Sequence, residues 1–173
     1  MVGVAAYKPA NSHPENEARV FDFVGMLGLP LVPCHEFPTE ARAAFFSVHA
    51  LKDPGFGGQL QRFVRAGKPV LLTDGLAARL TNQVDLTAQN VQVLPVEGDP
   101  KSLLALSQEV LDRLREPLLR PFETSLRAPN QVGLYLFTDG SWVIENFNDQ
   151  PAEVELNGRR IAVEARGWQK LWK

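Results

Sequence analysis

Pro69-Val70-Leu71-Leu72-Thr73-Asp74-Gly75 is the stretch on which the fold turns. Val70 to Thr73 is almost wholly apolar, the pattern of a strand buried on both faces. Asp74-Gly75 then turns the chain into a short helix, Leu76 to Leu80. A strand covered on both sides and followed by a helix belongs to a parallel sheet with crossover helices. Upstream, Leu60, Phe63 and Val64 form a helical stripe closed by Gly67, after a Gly-rich loop, Asp53 to Gly58. Ala44 to Val48, Leu31 to Val32 and Val2 to Ala6 read as three further strands. Between the last two, Val20, Val24 and Leu27 repeat at helical spacing, widened by Phe21 and Phe23. Ser12 and Glu15 fit a capping box for that helix, with Pro14 in its first turn, and Gly28 and Pro30 end it. Downstream, Val91 to Val96 is a fifth strand. Asp99-Pro100 opens a helix whose stripe is Leu103, Leu106, Val110 and Leu114, ended by Pro117 and Pro121.

The style of the sequence changes after about residue 130. Val132 to Phe137, Trp142 to Phe147, Ala152 to Leu156, Arg159 to Val163 and Gly167 to Trp172 follow one another as short strands joined by tight turns. Asn157-Gly158 is the strongest hairpin signal among them. The expected architecture is α/β, a flavodoxin-like parallel sheet with crossover helices over 1–127. A small antiparallel β-domain over 128–173 would pack on it, with Arg127 to Gln131 as the boundary.

The chain has 173 residues, 18 basic and 20 acidic side chains, a formal charge of -2 and a 45% hydrophobic fraction. That composition is globular and excludes a largely disordered chain. The near-neutral balance gives no electrostatic case for nucleic acid or an anionic membrane. One cysteine excludes an internal disulfide and a multi-cysteine metal site. No apolar run approaches the ~18 residues of a membrane-spanning helix, and the N-terminus lacks a signal-peptide layout. The free thiol and the missing leader point to the cytoplasm if the chain is full-length. Localisation is open if it is a fragment, and the Met1-Val2 opening directly into a strand is compatible with a piece cut from something longer.

Few residues carry an obvious chemistry. Cys34-His35-Glu36 offers a thiol, an imidazole and a carboxylate, but adjacent residues on an extended segment point to opposite faces, so the trio reads as structural. His13, His35 and His49 show no metal-ligand spacing, and no metal or cofactor is expected. Gly55-Phe56-Gly57-Gly58 is neither a Walker loop nor a dinucleotide fingerprint. Val70 to Gly75 has the strand-turn-helix layout of a nucleophile elbow, with Asp74 where a nucleophile would stand. Aspartate readily bonds a following N–H, which favours a capping or turn role; an aspartyl nucleophile would need a base and an activating environment. Lys8, Asn11, His49 and Asp74 border the crevice where an open α/β sheet places ligands. Among the aromatics, Trp142 and Trp168 are the candidates for stacking on a sugar ring, with Tyr7 and Trp172 beside them.

Phe63-Val64-x-x-Gly67-Lys68-Pro69-Val70-Leu71-Leu72-Thr73-Asp74-Gly75, within residues 44 to 80, resembles the class I glutamine amidotransferase-like fold. More narrowly it resembles the non-catalytic version, the middle or trimerisation domain of some bacterial beta-galactosidases. The likeness covers roughly residues 1 to 115 in layout and about thirty in motif. It puts the family's catalytic cysteine on Asp74, and no histidine follows His49, so the triad cannot be assembled in family order. Val143 to Leu156, with Asn146-Phe147-Asn148-Asp149-Gln150-Pro151 at its centre, is similar to a hairpin of C-terminal β-domains in glycoside hydrolases. There Asn146 and Asn148 would shape the turn.

Together the resemblances imply a non-catalytic accessory or assembly module, the C-terminal part of a multidomain carbohydrate-active enzyme or a free-standing relative of one. Its partners would be an upstream catalytic barrel domain or copies of itself, a trimer included, and carbohydrate. The alternatives are a small hydrolase or amidase of the same fold with an altered site, and a carbohydrate-binding module.

Overall fold

The computed structural model describes residues 1–173. Five strands, β1 (Val4–Tyr7), β2 (Leu31–Cys34), β3 (Ala44–Phe46), β4 (Val70–Thr73) and β5 (Val91–Leu94), form one sheet in the order β2-β1-β3-β4-β5, every pair parallel. Four helices flank it: α1 (Val20–Gly25), α2 (Phe56–Arg65), α3 (Asp74–Leu80) and α4 (Gln108–Leu119). The alternation of side chains along the central strands divides the core. Phe46 and Leu72 join Phe56, Leu60, Phe63, Leu76 and Leu80 of α2 and α3 on one face. Phe45 and Leu71 join Val20, Val24, Leu111, Leu114 and Leu118 of α1 and α4 on the other. This is the α/β layer that the apolar run at 70–73 requires.

The tail holds six strands in two three-stranded antiparallel sheets: β6 (Leu126–Arg127), β9 (Ala152–Leu156) and β10 (Arg159–Val163) in one, β7 (Val132–Leu136), β8 (Trp142–Asn146) and β11 (Trp168–Leu171) in the other. Both share a single apolar cluster that includes Leu134, Leu136, Ile144, Val154, Leu156 and Val163. The turn at Asn157-Gly158 has positive φ at both residues, 50° and 77°, as a two-residue hairpin turn of this hand needs.

Several expectations are corrected. No capping box starts α1. Ser12 and Glu15 are drawn to partners far along the chain, Asn11, Glu15 and Arg19 adopt left-handed backbone, and regular helix begins only at Val20. The first strand runs Val4–Tyr7, because Val2 leaves it to donate its N–H to Leu136 O in the tail (2.9 Å). The Gly-rich stretch belongs to α2 from Phe56 onward. At the elbow Thr73, not Asp74, is the N-cap, accepting the Leu76 N–H at 3.3 Å. Asp99 does cap a helix, but only a 3-10 segment, Pro100–Ala105; Ser107 offers a second cap, so the chain bends and α4 starts anew. Pro117 sits inside α4 instead of ending it. The carbonyl it deprives of a donor, Arg113 O, is taken by the Gln92 side chain at 3.1 Å. The tail's antiparallel strands divide into two sheets, and the two-residue β6, a strand the sequence did not suggest, adds to the β9–β10 hairpin as its third member.

Candidate functional site

The carboxyl ends of β1, β3 and β4 are roofed by a strap, residues 8–19. His49, in the 3-10 turn Val48–Lys52 that follows β3, has its Nδ1 2.8 Å from Ser12 Oγ. Ser12 has one hydroxyl proton and places it on Pro9 O at 2.6 Å. His49 Nδ1 must therefore carry the hydrogen of the Ser12 contact, which makes the ring the neutral Nδ1–H tautomer. Burial, reinforced by the nearby Lys8 ammonium, pulls the imidazole below its usual range and agrees with that assignment. A serine activated for attack needs the reverse polarity, with the ring accepting its proton. The pair thus acts as a clasp on the strap.

Of the sequence-derived crevice residues, Lys8, Asn11 and His49 gather around this clasp. The Lys8 N–H donates to Cys34 O (2.9 Å), and Asn11 O receives Lys52 Nζ at 3.5 Å. Asp74 stands apart, at the end of β4. Its Oδ1 accepts the Gly75 N–H (2.8 Å) and its Oδ2 the Glu97 N–H (2.9 Å), so both oxygens brace backbone. Cys34 is half-buried, and burial pushes its thiol up, away from the thiolate that reactivity requires. No three His, Cys, Asp or Glu side chains converge as metal ligands.

Glu17 is a residue that the sequence reading passed over. It lies on the strap and is 3% exposed, yet Oε1 has no hydrogen-bond partner, while Oε2 accepts the Val48 N–H at 3.0 Å. Burial raises its carboxyl above the ordinary range, opposed by the Val48 bond and by Thr73, and Asp74 and Glu15 add to the rise. Nothing local in Asn16-Glu17-Ala18 distinguishes it from a surface glutamate.

The tail presents a different surface. Strand pairing sets Trp168 opposite Glu145, and Lys170 and Tyr135 opposite Val143, so these side chains share the outer face of the β7–β8–β11 sheet. Trp168 and Trp172 are 57% and 55% exposed, and the Lys170 ammonium lies over both rings, 4.7 and 5.6 Å from their centroids. Phe137 meets Trp172 edge-on at 5.5 Å, and Tyr135 donates its hydroxyl to Glu145 at 3.1 Å. Trp142 pairs with Leu171 and packs against the tail core on the opposite face. Of the stacking candidates Trp142 and Trp168, only Trp168 lies on this outer face, where the second exposed indole is Trp172.

Comparison with protein-family models, curated proteins and solved structures finds no match to this chain. No helix is long and apolar enough to cross a membrane.

Proposed function

We propose that this chain is a non-catalytic accessory or assembly module, the C-terminal part of a carbohydrate-active enzyme. Its α/β layer would be flavodoxin-like and of the amidotransferase-like kind, and its tail a β-domain of the glycoside-hydrolase type. The strand order 2-1-3-4-5 supports the first of these, being the flavodoxin-like order. The observation that carries the functional reading is the outer face of the β7–β8–β11 sheet. Two tryptophans more than half exposed are a contact surface waiting for a partner rather than a core. At the elbow, an Asp74 carboxylate held by two backbone amides supports a bracing role over a nucleophilic one.

The partner under this reading is an upstream catalytic barrel or further copies of the chain. Sedimentation velocity of the chain and of a Trp168→Ala/Trp172→Ala double variant tests the self-association arm: an oligomer that the double variant turns to monomer supports it. Hydrolysis of an amide, ester and glycoside panel tests the non-catalytic arm. Turnover that disappears in Asp74→Asn would reject it in favour of an altered-site hydrolase.

The exposed indole pair also favours a second reading, a carbohydrate-binding module. Sugar rings stack on aromatic faces, and Glu145, Lys170 and the Tyr135 hydroxyl could meet their hydroxyl groups. Oligosaccharide titration followed by tryptophan fluorescence decides it: saturable quenching lost in the double variant supports sugar binding, and a flat response speaks for a protein partner.

A further inference from the structure

Buried polar atoms in folded proteins nearly always have a hydrogen-bond partner, and an exception calls for an explanation. Glu17 Oε1 is such an exception. Glu17 lines a cavity of about 450 Å³ beyond the ends of β3 and β4, together with Val48, Asp74, Gly75, Ala78 and Glu97. Gly75 has ordinary helical backbone, where alanine would be favoured by about 1 kcal/mol. The need for glycine is spatial: a Cβ there would lie 2.6 Å from Glu17 Oε1 and 3.4 Å from Val48 Cγ1. The missing methyl lets the start of α3 come up against the carboxyl oxygen, which stays buried in the cavity wall without a donor.

The charge around the cavity is one-sided. Glu15, Glu17, Asp74 and Glu97 line it, and the one cation, Arg79, is already paired with Glu15 at 2.6 Å. An anion would be repelled. A divalent metal would need several converging ligands, which are absent here. What fits is a cation that carries its own hydrogen-bond donors on a slim apolar stem, since Val48, Gly75 and Ala78 give the wall a small, apolar character.

We propose that this cavity binds a primary alkylammonium ligand, its –NH₃⁺ head donating to Glu17 Oε1 and its alkyl stem lying along Val48, Gly75 and Ala78. The site is independent of the tail face and of the assembly reading. A seated cation also gives Glu17 Oε1 the donor it lacks and opposes the rise that burial and the acidic neighbours impose on its carboxyl.

The test is an NMR titration of the ¹⁵N-labelled chain with n-butylammonium chloride at constant ionic strength. Tetramethylammonium chloride serves as the control, with the same charge and no N–H. Saturable shifts at the Val48 and Gly75 amides with butylammonium, absent with tetramethylammonium, are expected. In Glu17→Gln the affinity should fall about tenfold or more, and in Gly75→Ala, whose methyl would crowd Oε1 at 2.6 Å and displace it, by a similar factor. Equal responses to the two cations, shifts that stay linear, or unchanged affinity in a folded Glu17→Gln variant would overturn the proposal. Should Glu17→Gln not fold, the comparison of the two cations on the wild-type chain decides the matter alone.

Discussion

Arg115 is the largest fully buried side chain, 1% exposed on α4. It donates to Leu27 O at 2.7 Å, to Ala128 O, and to Pro129 O at 3.2 Å, joining the end of the α1 segment to the start of the tail. Burial draws its guanidinium down to about 10, against a smaller opposing pull from Asp112, so it stays charged at neutral pH. Arg115→Ala should destabilise the chain by about 3–5 kcal/mol in urea unfolding, because two buried carbonyls and a half-buried third lose their donors together. Arg115→Lys should recover only part, since one ammonium cannot reproduce the planar fork. In the sequence Arg115 is one arginine among the charged residues of an amphipathic helix, and its acceptors lie 88, 13 and 14 residues away. No local pattern encodes such a contact. His49 belongs to the same scale. Its folded pKa lies below its ordinary 6.5, so its contribution is complete above that value and is lost as pH falls from there toward the lowered one. Lys8 and His13, the charged groups that bear on it, both act against protonation. Stability should decline on acidification below about 6.5, and His49→Asn, which keeps a donor for Ser12 but cannot titrate, should flatten that limb of the urea midpoint against pH.

Elements whose signals are local were readable. The apolar run of β4 and the Asn157-Gly158 hairpin each follow from a few adjacent residues, as does the left-handed turn at Gly28, φ 81°, although α1 itself ends three residues earlier at Gly25. Elements whose side chains are recruited elsewhere were not. The strap illustrates this: Ser12, Glu15 and Glu17 look like the first turn of a helix, but each has a partner beyond the helix they would begin, His49, Arg79 and Val48. Three left-handed non-glycine residues, at 11, 15 and 19, are retained because those distant contacts outweigh the local preference. The link from β8 to β9 shows the opposite case, a polar residue whose role the sequence did suggest. Asn146, 1% exposed, donates to Gln150 O (2.8 Å), Val163 O (3.3 Å) and Glu164 O (3.0 Å) and accepts the Asn148 N–H (3.0 Å). It shapes the turn and also ties it to the end of β10. Asn146→Ala should cost about 2–3 kcal/mol in urea unfolding, with hydrogen exchange rising first at the amides of 147–151.

At the scale of the molecule, the change of sequence style near residue 130 is real as a change of architecture, but the structure on either side is tightly joined. Val132 N–H donates to Met26 O at 3.0 Å, Asn130 Nδ2 to Leu103 O at 2.8 Å, and the Val2 N–H to Leu136 O at 2.9 Å. Gly28 lets Leu126 come so close that a Cβ would stand 2.5 Å from its methyl. Leu119 at the end of α4 belongs to the tail's apolar cluster rather than to that of its own helix. A break at 127 would strip Arg115 of two of its three carbonyls and leave Leu119 and Leu126 facing water. Those losses together are comparable with the whole stability of a domain this size, about 5–15 kcal/mol. Residues 1–127 expressed alone should therefore lack the near-ultraviolet circular dichroism of a packed core and unfold without a sharp transition, while the full chain unfolds in one. A fragment with well-dispersed amide resonances and its own cooperative transition would show instead that the α/β layer stands alone and that the Arg115 junction is only a hinge between two autonomous parts.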